Sequence, residues 1–179
     1  MERKKILTDI VKENKFITVS RYIEEYGVEL FDMADIQKIE GVVAKRKDSK
    51  YYFDKRTKDW IKFKRMTDED FIICGIIHKL PMSSLILGQY DDTKLVYKGS
   101  VSFGVRANML KEYNYKTMPT SPFGNKVKDK IDEENGITWI EPKLVCTVEY
   151  MPNTKDSLRQ PVFKGFREDV LASECQVKS

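Results

Sequence analysis

The chain has 179 residues, enough for two small domains sharing a linker, and its 41% hydrophobic and 34% charged residues fit a folded, water-soluble protein rather than extended disorder. No stretch approaches the roughly 20 apolar residues of a membrane span, and Met1-Glu2-Arg3-Lys4-Lys5 precedes no signal-type apolar run, so no membrane partner is expected and a cytoplasmic location follows by default. The net charge of +4 is uneven: Lys45 to Arg65 holds ten Lys or Arg against three Asp, a local +7, while residues 67–179 hold fifteen basic and sixteen acidic groups.

In chain order, Ile6, Leu7, Ile10 and Val11 recur at helical spacing and predict an amphipathic helix over 2–14. Phe16 to Ser20 alternates as a short strand. Leu30, Phe31, Ala34 and Ile39 predict a second helix over 27–39, which Gly41 breaks before the strand Val42-Val43-Ala44. A basic loop from Lys47 to Lys58 leads into Trp60-Ile61-Lys62-Phe63-Lys64, whose alternation sets Lys62 and Lys64 on one strand face and Ile61 and Phe63 on the other. Beyond Arg65, strands are expected over 70–78, 84–91 and 94–103, the last two joined by a tight turn at Asp92-Thr93. Val105 to Tyr115 has helical spacing, Pro119 to Gly136 reads as a polar loop, and Thr138 to Tyr150 is strand-patterned. About five strands with one inserted helix fit an OB-type barrel, a nucleic-acid platform.

Cys74, Cys146 and Cys175 are scattered, without the paired spacing of a zinc site or disulfide framework; they read as ordinary thiols, the first two on strands. The single histidine, His78, has no second base beside it, which argues against a His-dependent hydrolase or a multi-histidine metal site. The basic cluster suits a polyanion, either nucleic acid or nucleotide phosphates, although a solvated face has the same composition.

Several stretches carry chemistry. Glu40-Gly41-Val42-Val43-Ala44-Lys45 puts a carboxylate at a strand start, where it can help position a divalent metal. Lys62 and Lys64 can neutralise phosphate oxygens as compact point charges, or else line a solvated strand edge. Lys45 and Arg56 extend that basic surface towards a nucleotide or a DNA backbone. Near the end, Arg159-Gln160-Pro161-Val162-Phe163-Lys164-Gly165-Phe166-Arg167-Glu168-Asp169 offers the donors Arg159, Lys164 and Arg167 for phosphate, or a charged terminal surface.

In this order the stretches resemble the covalent nucleotidyltransferases, most closely the ATP-dependent DNA ligases of bacterial non-homologous end joining. Residues 40–45 look like the family's motif IV, Asp59 to Lys64 like motif V, and Arg159 to Asp169 like motif VI; Ser121-Pro122-Phe123 and Trp139-Ile140-Glu141-Pro142 point to a ligase rather than an mRNA-capping guanylyltransferase. The resemblance implies an α+β chain: the C-terminal portion of an adenylation domain over 1–66, then an OB-fold β-barrel over 67–179, with a hinge at Arg65-Met66-Thr67. It implies ATP with Mg2+ or Mn2+, and nicked or broken double-stranded DNA as the substrate. In that family a lysine takes AMP from ATP, AMP passes to the 5′-phosphate of a nick, and the 3′-hydroxyl seals it. By the same resemblance Lys62 and Lys64 contact the α-phosphate, and Arg159, Lys164 and Arg167 close over the pyrophosphate.

The family's nucleophile lies in Lys-x-Asp-Gly, which is absent from these 179 residues; Lys47-Asp48-Ser49-Lys50 falls after the motif IV strand and is no substitute. The chain alone is therefore expected to lack self-adenylylation. An excised fragment, a truncated or split gene, and a subunit completed by a separate chain all fit, as does a non-catalytic DNA-binding module derived from a ligase.

Overall fold

The computed structural model describes residues 2–78, 82–106, 109–123, 136–152 and 158–178. The chain divides into two compact units, Met1–Arg65 and Met66–Ser179. Secondary structure is mixed and mostly sheet.

In the first unit, helix α1 spans Glu2–Ile10, four residues short of the expected end. No strand forms over 16–20. The Asn14 side-chain oxygen instead accepts the amides of Phe16 and Ile17, closing a turn with one isolated bridge to Ile17. Helix α2, Gly27–Ile36, also stops early; Lys38 takes φ +55 and the Ile39 amide returns to the Ala34 carbonyl at 2.8 Å. Strands β1 (Gly41–Lys45) and β2 (Trp60–Lys64) then form an antiparallel ribbon. Ala34 is the one buried apolar side chain before Phe71 among the described residues.

The second unit holds the core. Its spine is β3, Thr67–Ile77, which pairs with β4 (Ser84–Asp91) on one side and, on the other, first with β8 (Val145–Met151) and then with β7 (Ile137–Ile140). Strand β5 (Lys94–Val101) extends the sheet beyond β4, β6 (Thr117–Met118) lies beyond β7, and β9 (Arg159–Phe166) pairs with β8. Apolar side chains cover both faces of β3, which is why its sequence is a continuous apolar run rather than an alternation. A bulge between Ile73 and Gly75 shifts the parity: Phe71, Ile73 and Ile76 join one cluster, and Ile72, Cys74 and Ile77 the other. Gly75 leaves room for Trp139, whose ring would lie 2.9 Å from an added Cβ.

Two expectations for this unit need correction. The ladder is open rather than a closed barrel; among the described residues Phe103, two residues past the end of β5, reaches Val162 of β9 through an isolated parallel bridge. The helix expected over 105–115 is reduced to a single 3-10 turn, Met109–Glu112, in the part described. The charged tail contains a full strand, β9, hidden in the sequence by Pro161, Gly165, two register shifts and a positive φ at Gln160. Most of the loop expected over 119–136 lies outside the described residues. No described helix is long and apolar enough to cross a membrane.

Candidate nucleotide and phosphate site

The β1–β2 register sets Gly41 opposite Lys64, Val43 opposite Lys62 and Lys45 opposite Trp60. Directly opposed residues share a face of the ribbon, as do alternate residues along each strand. Lys45, Trp60, Lys62 and Lys64 therefore stand on one face, while Val42, Ala44, Ile61 and Phe63 take the other. Glycine is required at 41: its φ is +148, and an added Cβ would fall on the Phe63 carbonyl oxygen and lie 2.9 Å from the Lys64 Cα. The ladder continues past both ends, with Arg65 N–H donating to the Glu40 carbonyl at 3.0 Å and Arg46 N–H to the Asp59 carbonyl at 2.9 Å.

Lys62 is exposed and Lys64 half-buried. The Lys45 ammonium lies 4.0 Å above the Trp60 ring, and the Arg3 guanidinium approaches the same ring at 5.3 Å. Partial burial, followed by the nearby charges of Lys4 and Arg3, holds the Lys45 pKa below the ordinary lysine value. Arg46 and Lys47, by contrast, are committed to carboxylates: Arg46 to Asp48 at 2.8 Å and Lys47 to Glu24 at 3.0 Å. Arg56 is exposed in the loop between the strands, and the exposed Glu40 sits one residue before β1.

Arg159, Lys164 and Arg167 lie in the other unit. Arg159 opens β9 opposite Met151, and Lys164 pairs with Glu149 at 3.2 Å. Arg167, just past β9, is held by two carboxylates, Asp70 at 3.1 Å and Asp169 at 2.8 Å. The hydrogen bonds from Arg167 lower the Asp169 carboxyl to about 2.

Residues 1–64 match the sequence profile of the ATP dependent DNA ligase domain, and residues 79–170 that of the ATP dependent DNA ligase C terminal region. The chain belongs to the ATP-dependent DNA ligase family. Among ligase relatives, the multifunctional non-homologous end joining protein LigD of Pseudomonas aeruginosa is 32% identical over 148 residues, covering 76% of this chain and 17% of that protein. LigD of Mycolicibacterium smegmatis is 30% identical over 183 residues, covering 97% of this chain and 24% of that protein. The solved ligase domain of M. tuberculosis LigD superposes with a TM-score of 0.56 at 27% identity, covering 99% of this chain and 59% of the domain. The chain thus spans under a quarter of those curated relatives and about three-fifths of that ligase domain.

Two groups that the ligase motifs do not flag surround these residues. Arg3 reaches Trp60 from α1, a contact invisible in a sequence where it is one charge among several. Around Asp70, a polar network joins separate strands. Gln89, only 2% exposed, donates to Glu69 Oε1 at 3.0 Å and to the Asp70 carbonyl at 3.2 Å. Thr147 donates to Asp70 Oδ1 at 2.6 Å, and the Tyr150 hydroxyl donates to Glu69 Oε2. Carboxylates at 69 and 70, directly before the apolar run Phe71 to Cys74, were the available signal.

Proposed function

We propose that this chain supplies the late part of the nucleotide site, together with a DNA-facing OB-type unit, to ATP-dependent sealing of nicks or breaks in double-stranded DNA. The observation that carries this reading is the shared ribbon face of Lys45, Lys62 and Lys64 within a segment matching the ligase domain profile. Phosphoryl transfer asks the protein mainly for positioning and charge stabilisation, and clustered ammonium groups provide the latter. In this reading Lys62 and Lys64 hold the α-phosphate, Lys45 and Arg56 extend the surface towards nucleotide or DNA backbone, and Arg159, Lys164 and Arg167 receive the pyrophosphate. A mycobacterial DNA ligase D solved with ATP, similar to this chain at 27% identity, supports ATP as the nucleotide.

Glu40 offers one hard oxygen donor, and among the described residues there is no group of three or more His, Cys, Asp or Glu that could hold a metal. Such a donor fits Mg2+ or Mn2+ as one ligand among phosphate oxygens and waters. A bound ion would add Lewis-acid stabilisation of phosphoryl charge. The proposed domains are 1–66, the late part of an adenylation domain, and 67–179, an OB-type unit, hinged at Arg65-Met66-Thr67. Support for the OB reading comes from the β5-β4-β3-β8-β9 order and the parallel bridge from Phe103, just past β5, to Val162 of β9.

In this first reading the nucleophilic lysine comes from polypeptide other than these 179 residues. The absence of Lys-x-Asp-Gly also favours a second reading, a non-catalytic DNA-binding module derived from a ligase. Incubation with labelled ATP and magnesium or manganese, alone and with an added adenylation-domain fragment bearing Lys-x-Asp-Gly, separates the two. The first reading expects no label on this chain alone and sealing of nicked DNA by the mixture. Nicked-DNA binding without sealing in any mixture supports the module, and label on this chain alone overturns the assignment of the nucleophile elsewhere.

A further inference from the structure

The loop between β1 and β2 runs Lys50-Tyr51-Tyr52-Phe53-Asp54-Lys55-Arg56, three consecutive aromatics bracketed by cations. None of the three enters a core: Tyr51 is 58% exposed, Tyr52 47% and Phe53 82%. They are nonetheless arranged. The Tyr51 ring meets Phe53 edge-on at 5.3 Å and lies 5.9 Å from Trp60, which in turn carries Lys45 and Arg3. An exposed series of rings thus runs from Phe53 to Trp60 and ends beneath two cations.

Those cations are poorly compensated. Arg3 Nη2 donates to Ser49 Oγ at 3.1 Å, but Nη1 is buried with no acceptor among the described residues. The charges that perturb Lys45 are those of Lys4 and Arg3, both cations. An anion at this point would relieve the repulsion.

Rings that accept a flat partner, next to cations that accept a phosphate, match single-stranded nucleic acid. A blunt duplex would satisfy the cations and leave the rings bare, because its bases are already stacked on one another. A polypeptide would have to set acidic side chains beside apolar ones to satisfy both features, whereas single-stranded nucleic acid carries a phosphate beside every base. We infer that the loop between β1 and β2, with Trp60 and Arg3, is a stacking platform for unpaired bases, such as those of an overhang at a broken DNA end. This rests on the proposed action on DNA and specifies which part of that substrate the first unit reads.

The test uses the full chain carrying Trp139→Phe, which leaves Trp60 as the sole tryptophan reporter. It is titrated at one salt concentration with oligothymidylate, a blunt duplex, and the same duplex with a single-stranded overhang. Oligothymidylate and the overhang are expected to quench Trp60, and the blunt duplex is not. Tyr51→Ala combined with Phe53→Ala should weaken overhang binding about tenfold while leaving blunt-duplex binding unchanged; Tyr51→Phe should retain it. Equal quenching by blunt and overhanging ends, or unaltered overhang affinity in the double variant, overturns the platform while leaving action on DNA intact. Failure to bind any of the three DNAs overturns both, and leaves a covering polypeptide as the occupant of the rings.

Discussion

Arg167 and Asp70, ninety-seven positions apart in sequence, form an ion pair with the guanidinium Nη1 at 3.1 Å from the carboxylate Oδ2. The same guanidinium holds Asp169 through two bonds of 2.8 Å. An arginine proposed to receive pyrophosphate is thus already occupied by two carboxylates, and phosphate oxygens must compete with them.

Asp70→Asn should therefore tighten the binding of inorganic pyrophosphate by a few-fold, a size suited to a partly exposed ion pair. Arg167→Met should weaken it. Calorimetric titration of both variants checks the pair; equal affinities in wild type and Asp70→Asn would show that Asp70 does not compete.

The depressed carboxyl of Asp169 makes stability depend on pH. Its folded value of about 2 lies below the ordinary 3.8, so its contribution is fully present above 3.8 and is lost as pH falls through about 2. Thermal melts from about pH 5 to about pH 2 should show a shallower decline in Asp169→Asn than in wild type.

Lys62→Ala and Lys64→Ala should each reduce nick sealing by the complemented enzyme by about a hundredfold or more, through loss of charge stabilisation at the transferred phosphoryl group. The readout is single-turnover sealing at saturating DNA. Near-normal sealing by both variants would remove these lysines from the site.

Gly41→Ala should open the ribbon. A Cβ there meets the Phe63 carbonyl at a backbone angle that alanine disfavours, which costs about 1–3 kcal/mol for the angle alone. Hydrogen exchange should accelerate over 41–45 and 60–64, with β3 and β4 unaffected.

The thiols should be inert in the native protein. Cys74 and Cys146 have no exposed surface, and burial raises both well above the ordinary thiol range. Cys175 is pushed up to about 11, first by burial and then by Asp70. Iodoacetamide should label none of the three before unfolding, and Cys175 first under mild denaturant. Its tail is held on β4 by the Tyr90 amide donating to the Cys175 carbonyl and the Val177 amide donating to that of Tyr90, both at 2.8 Å.

The fold was legible where one physical pattern acted alone. β2 alternates between two faces, and β3 is apolar because both of its faces are covered, so each announces itself within a few residues. β9 does not, since Pro161, Gly165 and two register shifts obscure its period of two. The spacing over 105–115 suggested a helix, yet Gly104 turns there at φ +85 with the Phe163 carbonyl 2.6 Å from where a Cβ would stand, and among the described residues only a short turn follows. The same division holds for the candidate site. Lys62 and Lys64 could be placed on one face from alternation alone, whereas the partners of Arg167 and of Trp60 come from distant segments and needed the folded chain.

The scarcity of buried apolar groups before Phe71 bears on how the molecule is handled. Nineteen of the twenty-three exposed large apolar side chains among the described residues precede Arg65, many of them aromatic or aliphatic residues that digestive proteases favour. Limited proteolysis should nick this portion first and leave a resistant fragment starting near Met66. Preparations of the isolated chain should likewise clump through the first unit, and a soluble fusion tag belongs on the amino terminus, where it would shield that surface.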